Sequence, residues 1–372
     1  MKKTIVVSAV NFFEGGPLTI LKECLEYLSE NMSDHYRIIA LVHDKSLLNV
    51  CNIEYVDYKK SRKNWAYRLY YEYIHFFFVS RRLKPYLWLS LHDITPNVDA
   101  DIRAVYCHNP SPFYPFSLRS FLFSYQVALF SLFYKYLYRI NIRKNTFVIV
   151  QQNWIRDAFQ KMYGIRNVVV AYPSAQQITS APSCPANNAK TIFFYPAFPR
   201  VFKNIETVAE AAKLLYVQGR TDFEVILTVN GEENKYARHV VANYKDIPTI
   251  SFVGLKSRDE VITMYRQVDA LIFSSKLETW GLPISEFKAF NKPMLLPDLP
   301  YAHETIGDFD QVKFYDPDDS LQLAACMQGF MDRLLVYDGN RRVEVQEPFA
   351  QDWKQLFDLL LGGKLMANAP NA

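Results

Sequence analysis

Apolar and polar positions along the chain fall into short apolar runs separated by longer amphipathic stretches. Thr4–Val10 (TIVVSAV), Tyr36–Val42, Ile53–Val56, Leu87–Leu91, Ala104–Cys107, Phe147–Val150 and Val168–Ala171 read as strands. A helix is predicted from Gly15-Gly16-Pro17 to about Leu28. Helical patterning also covers Asn64–Arg82, Phe116–Tyr138 and Trp154–Tyr163. Such alternation predicts crossover units on a mostly parallel sheet, because parallel neighbours need a long connection and helices must cover both faces.

At 173–190 the pattern stops. The stretch PSAQQITSAPSCPANNAK has no large apolar periodicity and predicts a linker. The alternation then restarts with strands at Thr191–Tyr195, Phe223–Val229, Ile250–Val253, Ala270–Phe273 and Pro293–Leu296. Helices are predicted at Asn204–Val217, Arg258–Gln267, Pro283–Phe290, Ser320–Leu335 and Phe349–Leu361. The expected fold is α/β, with two Rossmann-like domains over 1–172 and 191–348 facing across a cleft. The tail, 349–372, is expected to pack its helix back on the first domain. Ligands of open parallel sheets sit beyond the carboxyl ends of strands, so functional residues are sought in those loops.

Composition agrees with two cores: 372 residues exceed one ordinary domain. Hydrophobic residues at 50% and charged residues at 22% exclude a disordered or fibrous chain. Aromatics reach 15%, with 27 Phe and 25 Tyr against 12 Gly, which calls for large cores or a surface that meets something greasy. A net charge of +4 without a dense basic stripe speaks against nucleic acid. The five Cys are scattered and form no CxxC, which fits a reducing cytoplasm better than a disulfide framework or zinc cluster. The apolar run after MKK is too short for a signal peptide and reads as the first strand. Ser120–Tyr134 is too short to span a bilayer.

The chemistry concentrates in Asp269–Pro300, DALIFSSKLETWGLPISEFKAFNKPMLLPDLP. A buried strand ends at Ser274-Ser275, and a loop carries Glu278, Thr279, Trp280 and Gly281. Leu282 and Pro283 then open a helix holding Glu286. Free N–H groups at such a helix start suit a diphosphate. Gly281 lets backbone approach a ligand, Glu278 can accept from sugar hydroxyls, and Glu286 can reach a neighbouring diol such as a ribose.

This string resembles that of the retaining GT-B glycosyltransferases of family 4. Their pattern places two Glu eight apart around E-x-F-G-L-P and E-A. Glu278 and Glu286 occupy the two Glu positions, Trp280 stands for the usual Phe, and Phe287 for the usual Ala. Phe252-Val253-Gly254-Leu255, Asp259-Glu260, Tyr265 and Asp269-Ala270 are similar to that family too. The resemblance covers most of 190–335 and the first half only in outline. It implies that Glu278 contacts the donor sugar, Glu286 the ribose, and the backbone at Thr279–Leu282 sugar and phosphate. It also implies a metal-independent, retaining sugar transfer with no cofactor. The nucleotide-sugar is then the donor, from the second domain, and the first domain binds a glycan or lipid-linked acceptor.

Three further clusters follow strands. Arg200 and Lys203 lie after Thr191–Tyr195, where cations would meet a leaving diphosphate. Lys203 matches the family's Lys, whereas Ala197-Phe198 stand where Gly-Arg is usual, so Arg200 either substitutes or is a solvated loop charge. Gly15 and Gly16 open the first helix as a phosphate or acceptor loop, or simply as a tight turn. His108, in Cys107-His108-Asn109-Pro110, is either structural or, by the resemblance, near the reaction centre. Asp99-Ala100-Asp101 is a D-x-D placed before a strand rather than after one, and is read as a solvated loop. No metal site is expected.

Trp65–Arg82 and Phe113–Lys144 interleave Phe, Tyr and Leu with Arg and Lys. They either bury their aromatics against the first sheet or lie on a membrane that carries a lipid-linked acceptor. The reading is sugar transfer in bacterial surface polysaccharide (O-antigen or capsule) synthesis, in the cytoplasm and peripherally on the inner face of its membrane. Two alternatives share the fold: a nucleotide-sugar epimerase and a non-catalytic partner protein.

Overall fold

The alternating runs build two sheets whose strands all pair in parallel, seen in a computed structural model that describes residues 2–114, 118–123, 125–173 and 190–362. The chain divides into two units. The first holds Met1–Phe113, Phe133–Ser174 and Val345–Ala372; the second holds Tyr114–Leu132 and Ala175–Glu344. Most of the expected linker, and the first residues of the expected helix at 116–138, lie outside the described residues.

The chain begins with β1 (Lys3–Ala9), α1 (Gly15–Asn31), β2 (Tyr36–Val42) and β3 (Glu54–Asp57). It continues through α2 (Trp65–Tyr70), α3 (Phe76–Leu83), β4 (Leu87–Ser90), β5 (Ile102–Cys107), α4 (Leu118–Phe123) and α5 (Tyr125–Arg139). Then follow β6 (Phe147–Val150), α6 (Asn153–Tyr163), β7 (Val168–Ala171), β8 (Thr191–Tyr195), α7 (Ile205–Val217), β9 (Phe223–Leu227) and α8 (Lys235–Tyr244). Next are β10 (Ile250–Phe252), α9 (Arg258–Gln267), β11 (Ala270–Ile272), α10 (Leu282–Lys288), β12 (Met294–Pro297) and α11 (Pro300–Ile306). The chain closes with β13 (Val312–Tyr315), α12 (Ser320–Met331), β14 (Phe349–Ala350) and α13 (Trp353–Gly362).

The first unit's sheet runs β14-β7-β6-β5-β4-β1-β2-β3. Register is continuous from Lys3↔Tyr36 to Ala9↔Val42. Because strand residues alternate between faces, Ile5, Val7 and Ala9 pack with Leu21, Leu25 and Leu28 of α1 and with Leu356, Phe357 and Leu360 of α13. Each fully buried Leu there contributes about 2 kcal/mol. Val6, Val10, Ile39 and Leu41 point the other way and meet Phe76 of α3 and Trp88. Right-handed crossovers put α5 and α6 on that second face as well. Trp65 of α2 meets Tyr134 of α5 there, ring centroids 6.4 Å apart.

The helical pattern over Asn64–Arg82 is broken in the structure. Asn64 caps α2 by accepting from the Tyr67 N–H at 3.0 Å, and Tyr71–His75 then forms a π-helical turn before α3. The extra residue of such a turn resets the face of the helix. Glu72 and Phe76 therefore point fully inward while Ile74 and Phe78 stay exposed.

The tail also differs. Phe349-Ala350, expected as helix, forms β14 against β7, where the Val170 and Tyr172 N–H groups donate to Pro348 and Ala350 carbonyls. A strand here covers an edge whose N–H groups would otherwise go unpaired. α13 then stacks Phe357 on Tyr27 of α1, centroids 5.6 Å apart. Residues 114–132, read from sequence with the first half, group with the second unit, where Tyr114 meets Phe202 and Phe123 meets Tyr236 and His239.

The second unit's sheet runs β10-β9-β8-β11-β12-β13, buried on both faces by Phe193, Phe194, Val225, Leu271 and Leu295. Helix α8, helix α11 and strand β13 were not legible in the sequence pattern. No described helix is long and apolar enough to cross a membrane.

Candidate functional site

In the second unit the predicted residues come from the ends of two adjacent strands. β8 ends at Tyr195, and a loop carries Arg200 into a short 3₁₀ turn, Val201–Lys203. Asn204 follows in the left-handed region, φ 54°, which turns the chain into α7. Its buried amide donates to Ser274 Oγ at 3.1 Å and to the Pro317 carbonyl at 2.6 Å. β11 lies beside β8 and leads through Ser274-Ser275 into the Glu278 loop.

Three buried tyrosines pin this loop system from below. Tyr195 donates to the Lys203 carbonyl at 2.6 Å, Tyr301 to Ser275 at 2.6 Å, and Tyr315 to Phe273 at 2.9 Å. The Lys276 N–H donates to the Phe202 carbonyl at 2.7 Å and ties the two loops together. The Lys203 ammonium and the Glu278 carboxylate form an ion pair, both side chains largely shielded. Sequence spacing assigned these two to separate clusters. The parallel pairing of β8 with β11 brings them together.

Arg200 stands at the surface of its loop between the Phe198 and Phe202 rings, 5.7 and 5.9 Å from their centroids. Crowding by its surroundings pushes its pKa down, against the pull of Glu278. Glu286, on α10, is claimed by Arg258, whose Nη2 lies 3.1 Å from Oε1, and receives the Tyr265 hydroxyl at 3.4 Å. Burial raises its pKa, with Arg258 opposing. Arg258 was missed from the sequence because it opens a different helix, α9, behind the capping box of Ser257 and Glu260.

Gly281 sits at φ 88°, and a Cβ there would stand 3.3 Å from Ile284 Cδ1. Trp280 is half-buried, its indole N–H donating to Ser285 Oγ at 3.3 Å while the Thr305 hydroxyl donates to its carbonyl. Thr279 is half-buried and Leu282 exposed. α10 spans seven residues, Leu282–Lys288, ending earlier than the sequence pattern suggests. Together this site offers two paired cations, one exposed cation and two carboxylates, suited to an anion with hydroxyls on either side.

In the first unit, Gly15 (φ 65°) and Gly16 start α1 exposed, with no atom within 4 Å of where a Cβ would stand. His108 follows β5. Its two ring nitrogens are shielded from solvent and make no hydrogen bond among the described residues, and its ring lies 4.3 Å from that of Tyr106. Burial lowers its pKa, with Asp93 opposing.

Around His108 lies a buried cluster that sequence reading missed. Asp93, φ 70°, accepts from the backbone N–H groups of His108 (2.6 Å) and Asn109 (3.0 Å). It also accepts from Tyr138 (3.0 Å) and Tyr134 (3.2 Å). His92, one residue earlier, is fully buried. Its Nε2 is 3.1 Å from Ser8 Oγ and 3.2 Å, poorly aligned, from Glu72 Oε1. Arg68 donates to the His92 carbonyl at 2.9 Å. Burial pushes the Glu72 carboxyl up to about 8, against the pull of Arg68. Burial, then Arg68 and His108, push His92 well down. Both are thus held neutral. The His92-Asp93 pair after a strand was the available signal; the inward turn of Glu72 was not predictable without the π turn.

Asp99, of the D-x-D, donates its backbone N–H to Ser80 Oγ at 2.9 Å, and the triplet precedes β5. Among the described residues, no three His, Cys, Asp or Glu side chains converge as a cation site.

Two parallel sheets with flanking helices, carrying loops of this kind past their strands, define a GT-B fold of two Rossmann-like domains. Residues 176–333 match the sequence model of the family described as glycosyl transferases group 1. Among curated proteins it is similar to the O-antigen chain mannosyltransferase RfbU of Salmonella typhimurium, 21% identical over 202 residues. That match covers 50% of this chain and 51% of the relative, so the chain spans about half the length of the curated relative it matches. Among solved structures it is similar to the apo form of the lipopolysaccharide outer core galactosyltransferase WaaB: TM-score 0.63, 14% identity, covering 97% of this chain and 99% of that one. Anabaena Alr3699/HepE in complex with UDP and glucose is similar at TM-score 0.57 and 13% identity, over 88% and 89% of the two chains.

Proposed function

We propose that the chain transfers a sugar from a nucleotide-sugar to a glycan or lipid-linked acceptor in bacterial surface polysaccharide synthesis. The observation that carries this is the Lys203–Glu278 pair within the group 1 domain. A cation held beside a carboxylate, both on rigid loops, suits a diphosphate leaving from a hydroxyl-rich ring. In the transfer, the bond between the anomeric carbon and the phosphate oxygen breaks. A bond to the acceptor oxygen forms, and the acceptor proton passes to the leaving phosphate. Lys203 meets the charge that develops on that phosphate, where fixed charges act most strongly, and Arg200 binds the donor from the loop surface. Glu278 accepts from sugar hydroxyls and Glu286 from the ribose, the latter sharing its carboxylate with Arg258. Retention of configuration and independence of metal are part of the proposal, as is His108 beside the reacting sugar.

The acceptor side rests on Trp65, Tyr70, Ile74 and Phe78, which α2, the π turn and α3 leave exposed. The proposal puts these apolar side chains at the inner face of the cytoplasmic membrane, where amphipathic helices are at home. The test is a panel of radiolabelled nucleotide-sugars offered with lipid and oligosaccharide extracts. Label moving from one donor into extract, with nucleoside diphosphate released, is expected. Interconversion of the donor without acceptor, or tight donor binding with no turnover, would overturn it.

A further inference from the structure

The first unit holds a second feature, at the amino ends of β6 and β7, whereas His108 and Gly15 lie past the carboxyl ends of β5 and β1. A cavity of about 450 Å³ opens between the end of α5, the turn Ile142–Lys144 before β6, and the end of α6. Arg139, Arg143 and Lys144 line it, together with Met162, Tyr163 and Gly164, and its lining contains no acidic residue. All three cations are exposed at its rim.

Arg143 is held in place. Its Nη2 donates to the Tyr163 carbonyl at 3.2 Å. It lies where a Cβ on Gly164 (φ 63°) would come within 3.3 Å, so glycine leaves it room. Cations at this place complement the carbonyls that end α5 and α6, but one such contact does not use three.

The surrounding charge is unusual for this chain. Between 133 and 167 there are seven Lys and Arg (Lys135, Arg139, Arg143, Lys144, Arg156, Lys161, Arg166) against one acid, Asp157, a net of +6. The whole chain carries +4, so the remainder is net negative. Beside the cavity, Phe133 (59% exposed), Tyr136 (57%) and Ile140 (43%) line one side of α5's last turns, and Met162 (42%) lies at the cavity itself.

We propose that this cavity binds the phosphate headgroup of an anionic membrane lipid, with Phe133, Tyr136, Ile140 and Met162 entering the interface around it. A soluble phosphate would be served by the cations alone; the apolar rim commits the site to lipid. Each cation at an anionic surface is worth about 1 kcal/mol, and apolar side chains add their burial. The inference rests on the membrane contact proposed above and not on the transfer reaction.

The test measures co-sedimentation of the full chain with vesicles of phosphatidylcholine alone or containing phosphatidylglycerol. Binding to the anionic vesicles only is expected, weakening as salt shortens the screening length. Arg139→Gln with Lys144→Gln should weaken it roughly thirtyfold, the two charges converted at about 1 kcal/mol each. Phe133→Ser with Tyr136→Ser should weaken it too, and neither pair should move the thermal midpoint. Equal binding by the charge-depleted variant would overturn the cavity while leaving the membrane contact standing. No binding to any vesicle would overturn both. Inorganic phosphate that raises the wild-type midpoint, but not that of the charge-depleted variant, and displaces the vesicles at submillimolar concentration would show a site for free phosphate and overturn the lipid assignment.

Discussion

The two units solve the same problem, holding ionisable side chains past the ends of parallel strands, in opposite ways. In the second unit Lys203 meets Glu278 and Arg258 meets Glu286, ion pairs that stay partly open to solvent. In the first unit Glu72 and His92 are fully buried, and desolvation holds both neutral. Only Asp93 is fully supplied, by two backbone and two tyrosine donors. Paired charge can be redirected to a ligand's phosphate at little cost. Neutral buried groups cannot, and they act instead through shape and hydrogen-bond direction.

The largest expected effect breaks the charged side. Lys203→Ala should lower turnover by about 10²–10³, the scale on which removing one preorganised stabilising group acts. Release of nucleoside diphosphate reads it, and an unchanged thermal midpoint separates chemistry from folding. If turnover survives, the second unit's pairs are structural and the comparison collapses.

Glu72→Gln probes the neutral side. The raised pKa of Glu72 gives stability that is full below the unfolded value near 4.5 and is lost as pH rises through about 8. The variant cannot ionise, so relative to it the wild type should lose stability between pH 5 and 8. The loss should be up to about 4 kcal/mol, read as urea midpoints at the two pH values. A flat difference would mean that Glu72 is charged and paired in the folded chain.

Gly281→Ala tests the loop backbone. A positive φ and a contact at 3.3 Å from Ile284 should together cost about 2 kcal/mol of stability, read by denaturant unfolding. The smallest expected effect is Arg200→Gln. An exposed cation between two rings should raise the donor KM about threefold with kcat nearly unchanged, since surface charges act weakly. A large fall in kcat would instead place Arg200 beside Lys203 in stabilising the departing phosphate.

Much of this was legible in the chain. Strands such as Thr4–Val10 and Ala270–Phe273 are buried on both faces and announce themselves as continuous apolar runs. The Glu278–Glu286 string was legible because its residues are neighbours on one loop and one helix. Less regular pieces were not: β14 is two residues long and gains its pairing only from β7. The π turn at Tyr71–His75 has no period of its own, so the inward face of Glu72 was invisible. Arg258, 28 residues before Glu286, is likewise brought to it only by the packing of α9 beside α10.

Sequence alone determined the doubled α/β alternation, the strand ends where chemistry gathers, and the family resemblance of the second half, because burial and turn chemistry are local properties of a chain. Only the tertiary structure decided which charges meet and which are silenced. Lys203 and Glu278 lie 75 residues apart and pair because β8 lies beside β11. Glu72 and His92 lose their charges because the fold removes water from both, and desolvation is a property of the assembled core rather than of any segment.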